Sequence, residues 1–462
     1  MTKDIIFFAI KTRLCIIVLQ TISNKLIPDH DPEVFVSPLD DTVNVWMPEA
    51  QWIIDTLLGG LARWDAQYFL HIATHGYTYE QTLAFYPLFP MTVGIIAKLL
   101  YAMCPIVSVY HFSLVVAVLL NIFFFVKAAV CLSELSLRMT GNKKWAQLVA
   151  LLFCLNPASI FFTAPYSETL YSWLTFRIML ETSDNTISFM RLVMPLSLSL
   201  VCRSNGFINL GYVIYFALKS CLSLSKKLNK MTIIVRTILV VGCALILYGI
   251  TQLYFYYLYC SRHHINHSPA IIQYAQKHGF ILSGIRQNGS SPWCDNDLPM
   301  SYSYIQNHYW NVGFLNYYKL KQLPNFLLAA PILGIFLHFC FNYIAQNTRY
   351  CIYLGLLDNK ITKKITLFEK QIFPFMLHGL FLTMFCILFV HIQVATRLLA
   401  SSSPLLYWYC ANYFKDTGIN SLEEIRDIIL LDKSEARRLI LCYFIGFALF
   451  GTILFSNFLP WT

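Results

Sequence analysis

Apolar runs of roughly 20 residues alternate with short polar stretches along most of the chain, the pattern of a polytopic helical membrane protein. The first run is Ile5 to Ile27. Lys11 and Arg13 interrupt it, and no small-residue cleavage site follows. A retained span is expected rather than a signal peptide, with the two basic side chains reaching toward the cytoplasmic interface. Further apolar segments fall near 83–101, 110–137, 145–163, 167–181, 187–203, 206–222 and 232–259. Later spans are expected at Leu323 to Ala345, Gln371 to Val390 and Leu439 to Phe455, with Pro404 to Phe414 part of a shorter crossing. The expected fold is all-α, one multi-span membrane domain over residues 1–462, with about 11 transmembrane helices.

One stretch breaks the pattern. Gln51 to Pro90 is too charged to span a bilayer and too apolar for an ordinary loop. Trp52, Leu57, Leu58, Leu61, Trp64, Tyr68 and Ile72 recur at helical spacing, which predicts a helix lying along a membrane surface. Asp65 sits near its centre, beside Trp64.

Loop charge sets the sidedness. Residues 28–82 carry Asp29, Asp31, Glu33, Asp40, Asp41, Glu49, Asp55, Asp65 and Glu80 against one base, Arg63. Such a loop belongs on the non-cytoplasmic side. The loop Lys219 to Lys230 carries Lys219, Lys226, Lys227 and Lys230 and no acid, so it reads as cytoplasmic, as does the basic stretch Asn347 to Lys370. Residues 261–321 then form a second large lumenal loop. It holds two sequons, at Asn266 and Asn288. Pro269 weakens the first, leaving Asn288 as the glycosylation candidate. Seven apolar segments between the two loops would place them on opposite sides. The expected solution is a single crossing over 187–222, broken at Arg203-Ser204-Asn205-Gly206. That solution puts Arg138, Lys143 and Lys144 on the lumenal side, against the charge rule.

Composition agrees with the pattern. The chain is 57% hydrophobic and 13% charged, whereas soluble domains carry about 25% charged residues. The net charge of +10 comes from bases beside apolar runs, which fits membrane orientation rather than nucleic acid. Its 28 tyrosines suit interfacial belts and contact with sugars or lipids. Most of the 14 cysteines lie inside apolar runs without metal-type spacing. Cys260 and Cys294 are the only cysteines of the second loop region and are a candidate disulfide.

No P-loop, GxGxxG before a helix, HExxH or CxxC pair is present, so nucleotide cradles and hydrolase triads lack local support. What remains is a small set of polar residues in apolar surroundings. Asp65, crowded by Trp64, Tyr68 and Phe69, can serve as a general base or be a solvated acid on an interfacial helix. It has no second carboxylate at i+3 or i+4 to make a metal pair. Tyr166 and Glu168 lie in Pro165-Tyr166-Ser167-Glu168, which interrupts two apolar runs, and Arg203 interrupts another. Charged groups at membrane depth point to a site, although Glu168 and Arg203 could simply pair. Arg397 could hold a phosphate by bidentate hydrogen bonds or reach the interface. Tyr302, Tyr304, Tyr309 and Trp310 offer rings for sugar stacking or for the membrane boundary.

The ordered motifs RWDAQYFLHIATHGY, FYPLFP, APYSE, RSNG, PWC, SYSYIQNHYWNVGFLNYYKLKQLPNFLLAAP, QVATRLLASSSPLLYWY and SNFLPWT run from the first loop to the C-terminus. In these the chain resembles the family of the second mannosyltransferase of glycosylphosphatidylinositol (GPI) anchor synthesis, the PIG-V type. Arg63 stands where family members have His. The resemblance implies a multi-span GT-C glycosyltransferase of the endoplasmic reticulum membrane, with a lumenal active site. Such an enzyme takes mannose from dolichyl phosphate mannose and adds it, α1,6-linked, to the one-mannose GPI precursor. It implies Asp65 as the essential acid, inverting transfer and no tightly bound metal or cofactor. Arg203 and Arg397 are then candidates for the leaving phosphate, with Trp64, Tyr166, Glu168, Tyr304 and Trp310 around the substrates. The expected partners are the two lipid-linked substrates, with an accessory membrane subunit left to be tested. Competing classes are a lipid transporter or flippase, which would more often show an internal repeat, and a non-catalytic subunit of a glycosyltransferase complex.

Overall fold

The computed structural model describes residues 2–31, 34–38, 45–183, 189–223, 227–261, 264–284, 291–356, 367–414, 427, 429–430 and 432–461. Its helices are α1 (Thr2–Leu26), α2 (Pro48–Leu58), α3 (Asp65–His75), α4 (Leu88–Met103), α5 (Val109–Thr140), α6 (Lys143–Cys154), α7 (Glu168–Thr182), α8 (Phe189–Cys202) and α9 (Asn209–Ser223). There follow α10 (Lys227–Cys260), α11 (Pro269–His278), α12 (Ser301–Trp310), α13 (Leu323–Gln346), α14 (Thr348–Ile352), α15 (Leu367–Leu388), α16 (Ala395–Ser402), α17 (Leu405–Ala411) and α18 (Glu435–Ser456). The only β pairing among the described residues is an isolated bridge, Tyr79 to Leu282. The fold is all-α, as its hydropathy dictates.

Seven helices among the described residues are long and apolar enough to cross a membrane: α1, α5, α9 with its leading turn, α10, α13, α15 and α18. The expected count of about 11 is not reached by helices of spanning length. Several passes through the bundle are instead assembled from shorter pieces. Local sequence explains the ends. Ser108 caps α5 by accepting from the His111 N–H, and Gly141, at φ +69°, ends it in the left-handed conformation that glycine adopts without strain.

The course from 167 to 260 corrects the expected single crossing over 187–222. Arg191 near the start of α8 lies 3.2 Å from Glu181 near the end of α7. Arg203 just past α8 lies 2.6 Å from Glu168 at the start of α7. These two ion pairs, one at each end, make α7 and α8 an antiparallel hairpin. The chain then reverses through a 3-10 turn, Ser204–Ile208. Gly206 is required there, because a Cβ would collide with the Ser199 carbonyl. α9 returns to the far end: Asn209 bonds Thr175 at 3.0 Å, and Cys221 approaches the Lys230 carbonyl. Residues 189–222 therefore make two passes.

The segment that does not pass is α4. Its start packs Phe89 on Phe69 of α3. Just beyond its end, the Pro105 and Ile106 carbonyls accept from Trp46 and Met47 of the first loop. α5 begins at that same end, where His111 lies 3.2 Å from Asp55. Twelve residues beyond its start at Val109, or about 18 Å of helix, Asn121 donates to the Tyr166 carbonyl at 3.1 Å. Arg138 then bonds the Leu180 carbonyl at the opposite end. Arg138, Lys143 and Lys144 thus share an end with Lys219 and Lys230, and the conflict with the charge rule disappears.

Arg13 also departs from expectation. It does not reach for an interface but is fully buried. It donates to the Ser159 carbonyl at 2.6 Å, the Cys154 carbonyl at 3.2 Å and the hydroxyls of Ser159 and Thr163, and stacks on Phe125. Helix α6 ends there, and the guanidinium satisfies its last carbonyl, that of Cys154, where an intrahelical donor is lacking.

The two large loops pack on each other at the end away from the basic residues. The Glu80 N–H donates to the Ile281 carbonyl at 3.0 Å, and the Ser283 N–H to the Thr78 carbonyl at 2.9 Å. Cys260 and Cys294 form a disulfide that ties the second loop to the top of α10. Asn288 lies outside the described residues, as do Lys226, Lys360, Lys363 and Lys364.

Candidate active site

The expected interfacial helix is two helices. α2 ends at Leu58, a 3-10 turn covers Gly59–Leu61, and α3 starts at Asp65. Trp64 stands between them at φ +56°, a conformation that costs a non-glycine residue free energy and needs surrounding structure to hold it. Helical spacing persists across the break, which is why the pattern read as one helix. Asp65 therefore begins a helix rather than sitting midway along one. The helix dipole at that position favours a carboxylate.

The first turn of α3 opens on a cavity of about 560 Å³ at the loop end of the bundle. Asp65, Tyr166, Glu168, Arg203 and Arg397 line it together, although the sequence spreads them over 332 residues. Trp310, Tyr302, Tyr86 and Tyr248 supply aromatic walls. A mixed aromatic and charged cavity of this size suits a sugar held between ionic groups.

The charged groups form one alternating chain. Arg397 Nη2 donates to Asp65 Oδ2 at 2.8 Å. Arg397 Nε lies 4.0 Å from Glu168 Oε1, and that oxygen lies 2.6 Å from Arg203 Nη1. Arg203 also donates to the Ser167 hydroxyl at 3.3 Å. Glu168 is fully buried, whereas the Asp65 side chain is 31% exposed. The Arg397 guanidinium lies against the rings of Phe161 and Tyr166, at 5.1 and 5.4 Å, two rings steeply inclined to each other. A buried carboxylate between two arginines avoids the cost of an isolated charge. It also fixes both guanidiniums at the cavity wall.

Other sequence candidates lie elsewhere. Trp64 does not line the cavity; it packs edge-on to Phe458. The neighbouring Arg63 bonds Asp29, Asn24 and the Ser456 carbonyl and covers the Phe458 ring. It thereby locks the C-terminal segment against the start of α3. Tyr304 stacks on His308, and its neighbour Tyr302 takes the cavity wall. The hydroxyl of Tyr302 lies 2.8 Å from that of Ser204, which links α12 to the turn after Arg203. His71 is enclosed between the Ser37 and Thr78 hydroxyls at 2.9 and 2.6 Å. Burial, with His75 beside it, holds its imidazole well below the ordinary range.

One buried charge behind the cavity wall escaped sequence reasoning. Glu80, one acid among many in the first loop, is fully buried. Its two oxygens accept from the Trp293 indole at 3.0 Å and from the Tyr309 hydroxyl at 2.7 Å. Burial and that carboxylate push the Tyr309 phenol well up. Only its place between Tyr79 and the apolar run after Thr82 hinted at burial. Among the described residues, no three His, Cys, Asp or Glu side chains gather into a set that could hold a metal.

Comparison with known proteins gives a consistent result. The family model described as Mannosyltransferase (PIG-V) matches residues 2–462. GPI mannosyltransferase 2 of Drosophila melanogaster is 40% identical over 474 aligned residues, covering all of both chains. GPI alpha-1,6-mannosyltransferase 2 of Homo sapiens is 33% identical, covering 100% of this chain and 98% of that one. Among solved structures, an oligosaccharyltransferase of Archaeoglobus fulgidus is matched over 96% of this chain and 55% of its own. The identity is 12% and the TM-score 0.38, too low to carry a shared fold.

Proposed function

The chain belongs to the mannosyltransferase (PIG-V) family, and from that premise we propose that it transfers mannose from dolichyl phosphate mannose to the one-mannose GPI precursor, forming an α1,6 linkage. The supporting observation is one cavity that holds a carboxylate and two guanidiniums. Inverting transfer needs a base for the acceptor hydroxyl and cations for the departing phosphate. Asp65 is the base. It removes the hydroxyl proton as the acceptor oxygen attacks the anomeric carbon of mannose. Arg203 and Arg397 are the cations, and the rings of Tyr302 and Trp310 flank the sugars. The cavity opens at the loop end of a bundle whose sides are apolar. Two lipid-linked substrates can bring their heads there while their chains stay in the bilayer.

The reading places the protein in the endoplasmic reticulum membrane with the cavity facing the lumen. The basic loop residues at the opposite end support that sidedness, and so does a disulfide beside the cavity end. The deciding experiment supplies microsomes containing the protein with labelled dolichyl phosphate mannose and a one-mannose GPI precursor. A labelled two-mannose product that an α1,6-specific mannosidase cleaves is the expected result. No transfer in microsomes where the protein is present would overturn the proposal.

A further inference from the structure

The four charged groups of the cavity are linked in a way that general acid–base chemistry alone does not require. Arg397 touches both carboxylates, Asp65 through Nη2 and Glu168 through Nε at 4.0 Å. Arg203 touches Glu168 alone. The chain alternates in sign and carries no net charge. Arg397 Nε is buried and has no hydrogen-bond partner among the described residues. The guanidinium lies against the Phe161 and Tyr166 rings, whose attraction for a cation leaves its N–H groups unused. Tyr166 and Tyr68 are the other titratable groups close to Asp65. Both phenols are pushed up by burial, and neither competes for the guanidinium.

The proposed transfer changes two charges at once. The acceptor O–H bond breaks and its proton goes to Asp65, whose carboxylate becomes neutral. The bond from the anomeric carbon to the phosphate oxygen breaks, and its electron pair stays on phosphate. A phosphodiester monoanion becomes a monoester dianion. One negative charge disappears at Asp65 as another appears on phosphate, so the cavity's total is unchanged.

We propose that Arg397 couples these events: it holds the Asp65 carboxylate in the resting cavity and passes its Nη2 hydrogen bond to the leaving phosphate as the proton arrives on Asp65. This rests on the reading of a lipid-phosphate donor. Arg203, anchored on Glu168, binds the phosphate throughout. Arg397 is the switching group, and its shift stabilises the dianion more than the substrate, which is what accelerates a reaction. Glu168 is the positioning residue that keeps both guanidiniums at one wall.

The test is direct binding of the product headgroup. Full-length protein in lipid nanodiscs is titrated with a fluorescent short-chain polyprenyl phosphate. Asp65→Asn imitates the protonated base and frees Arg397. It should bind the phosphate about tenfold more tightly than wild type, the scale of one charge-assisted hydrogen bond. Arg397→Gln should bind more weakly than wild type. The double variant should match Arg397→Gln within about twofold. If Arg397→Gln does not fold, Arg397→Lys replaces it, and the Asp65→Asn gain should fall below about threefold, because an ammonium does not reproduce the guanidinium fork. Equal affinity of Asp65→Asn and wild type overturns the proposal. So does a tenfold gain that persists without Arg397, since loss of a negative charge would then explain it. Phosphate binding by none of the variants, with transfer also absent in wild-type microsomes, would instead sink the donor reading itself.

Discussion

The carboxylate of Glu80 accepts the indole N–H of Trp293 at 3.0 Å, across 213 residues of sequence and from one large loop to the other. Through its second oxygen it also holds Tyr309 of α12, the helix whose Tyr302 and Trp310 face the cavity. Glu80 thus fixes the aromatic wall from behind. Glu80→Leu leaves the buried Trp293 N–H unpaired, at about 1–3 kcal/mol, and the half-buried Tyr309 hydroxyl at less. The expected outcome is a lower thermal midpoint and a raised KM for acceptor, with kcat less affected. Glu80→Gln can accept from Trp293 and donate to the Tyr309 oxygen, so it should stay within about threefold of wild type. A Gln variant as impaired as the Leu variant would show that charge, not hydrogen bonding, is what the site needs.

Asp65→Asn keeps the shape of the α3 N-terminus and removes the base. Transfer should fall at least about a hundredfold, the scale of a lost general base, while expression and location stay unchanged. Activity near wild type would remove Asp65 from the chemistry.

Arg203→Ala and Arg397→Ala should separate kinetically. Without Arg203, the donor's ground-state anchor is lost, and the apparent donor KM should rise by about tenfold or more. Without Arg397, kcat should fall more than donor affinity, because its contact with phosphate forms late. Identical profiles for the two variants would contradict the division of labour.

Sidedness is open to glycosylation mapping. An acceptor sequon inserted near Asp40 should be modified, and one near Lys227 should not. The opposite result would move the cavity to the cytoplasmic face.

The Cys260–Cys294 bridge closes a separation of 34 residues. A loop of that length contributes about 3–4 kcal/mol in the chain-entropy view. Alkylation of native microsomes without reductant should leave both thiols unlabelled, and reduction should expose both. Cys294→Ser should loosen the second loop, read as faster proteolysis between α11 and α12.

The sequence by itself determined the class of the molecule and marked polar residues that line its cavity. Hydrophobicity and loop charge act over tens of residues and are additive, so the runs of apolar residues specified helices. The single base in 28–82 supports the proposed sidedness of that loop, and the interruptions at Asp65, Glu168, Arg203 and Arg397 marked polar groups that an apolar bundle would have to bring together. What only the tertiary structure decided is how those marks meet. Helical spacing continues through the Trp64 break, so no pattern could show that Asp65 starts a helix; that turn is held by contacts with the C-terminal segment, over 390 residues away. Whether 187–222 passes once or twice depends on ion pairs at both ends of α7 and α8, and hydropathy is blind to direction. Arg13 and Glu80 look like surface charges in sequence. They are buried because groups from distant segments, the Cys154 and Ser159 carbonyls and the donors on Trp293 and Tyr309, satisfy them. Partners of that kind are fixed by three-dimensional packing, and no local property of the chain announces them.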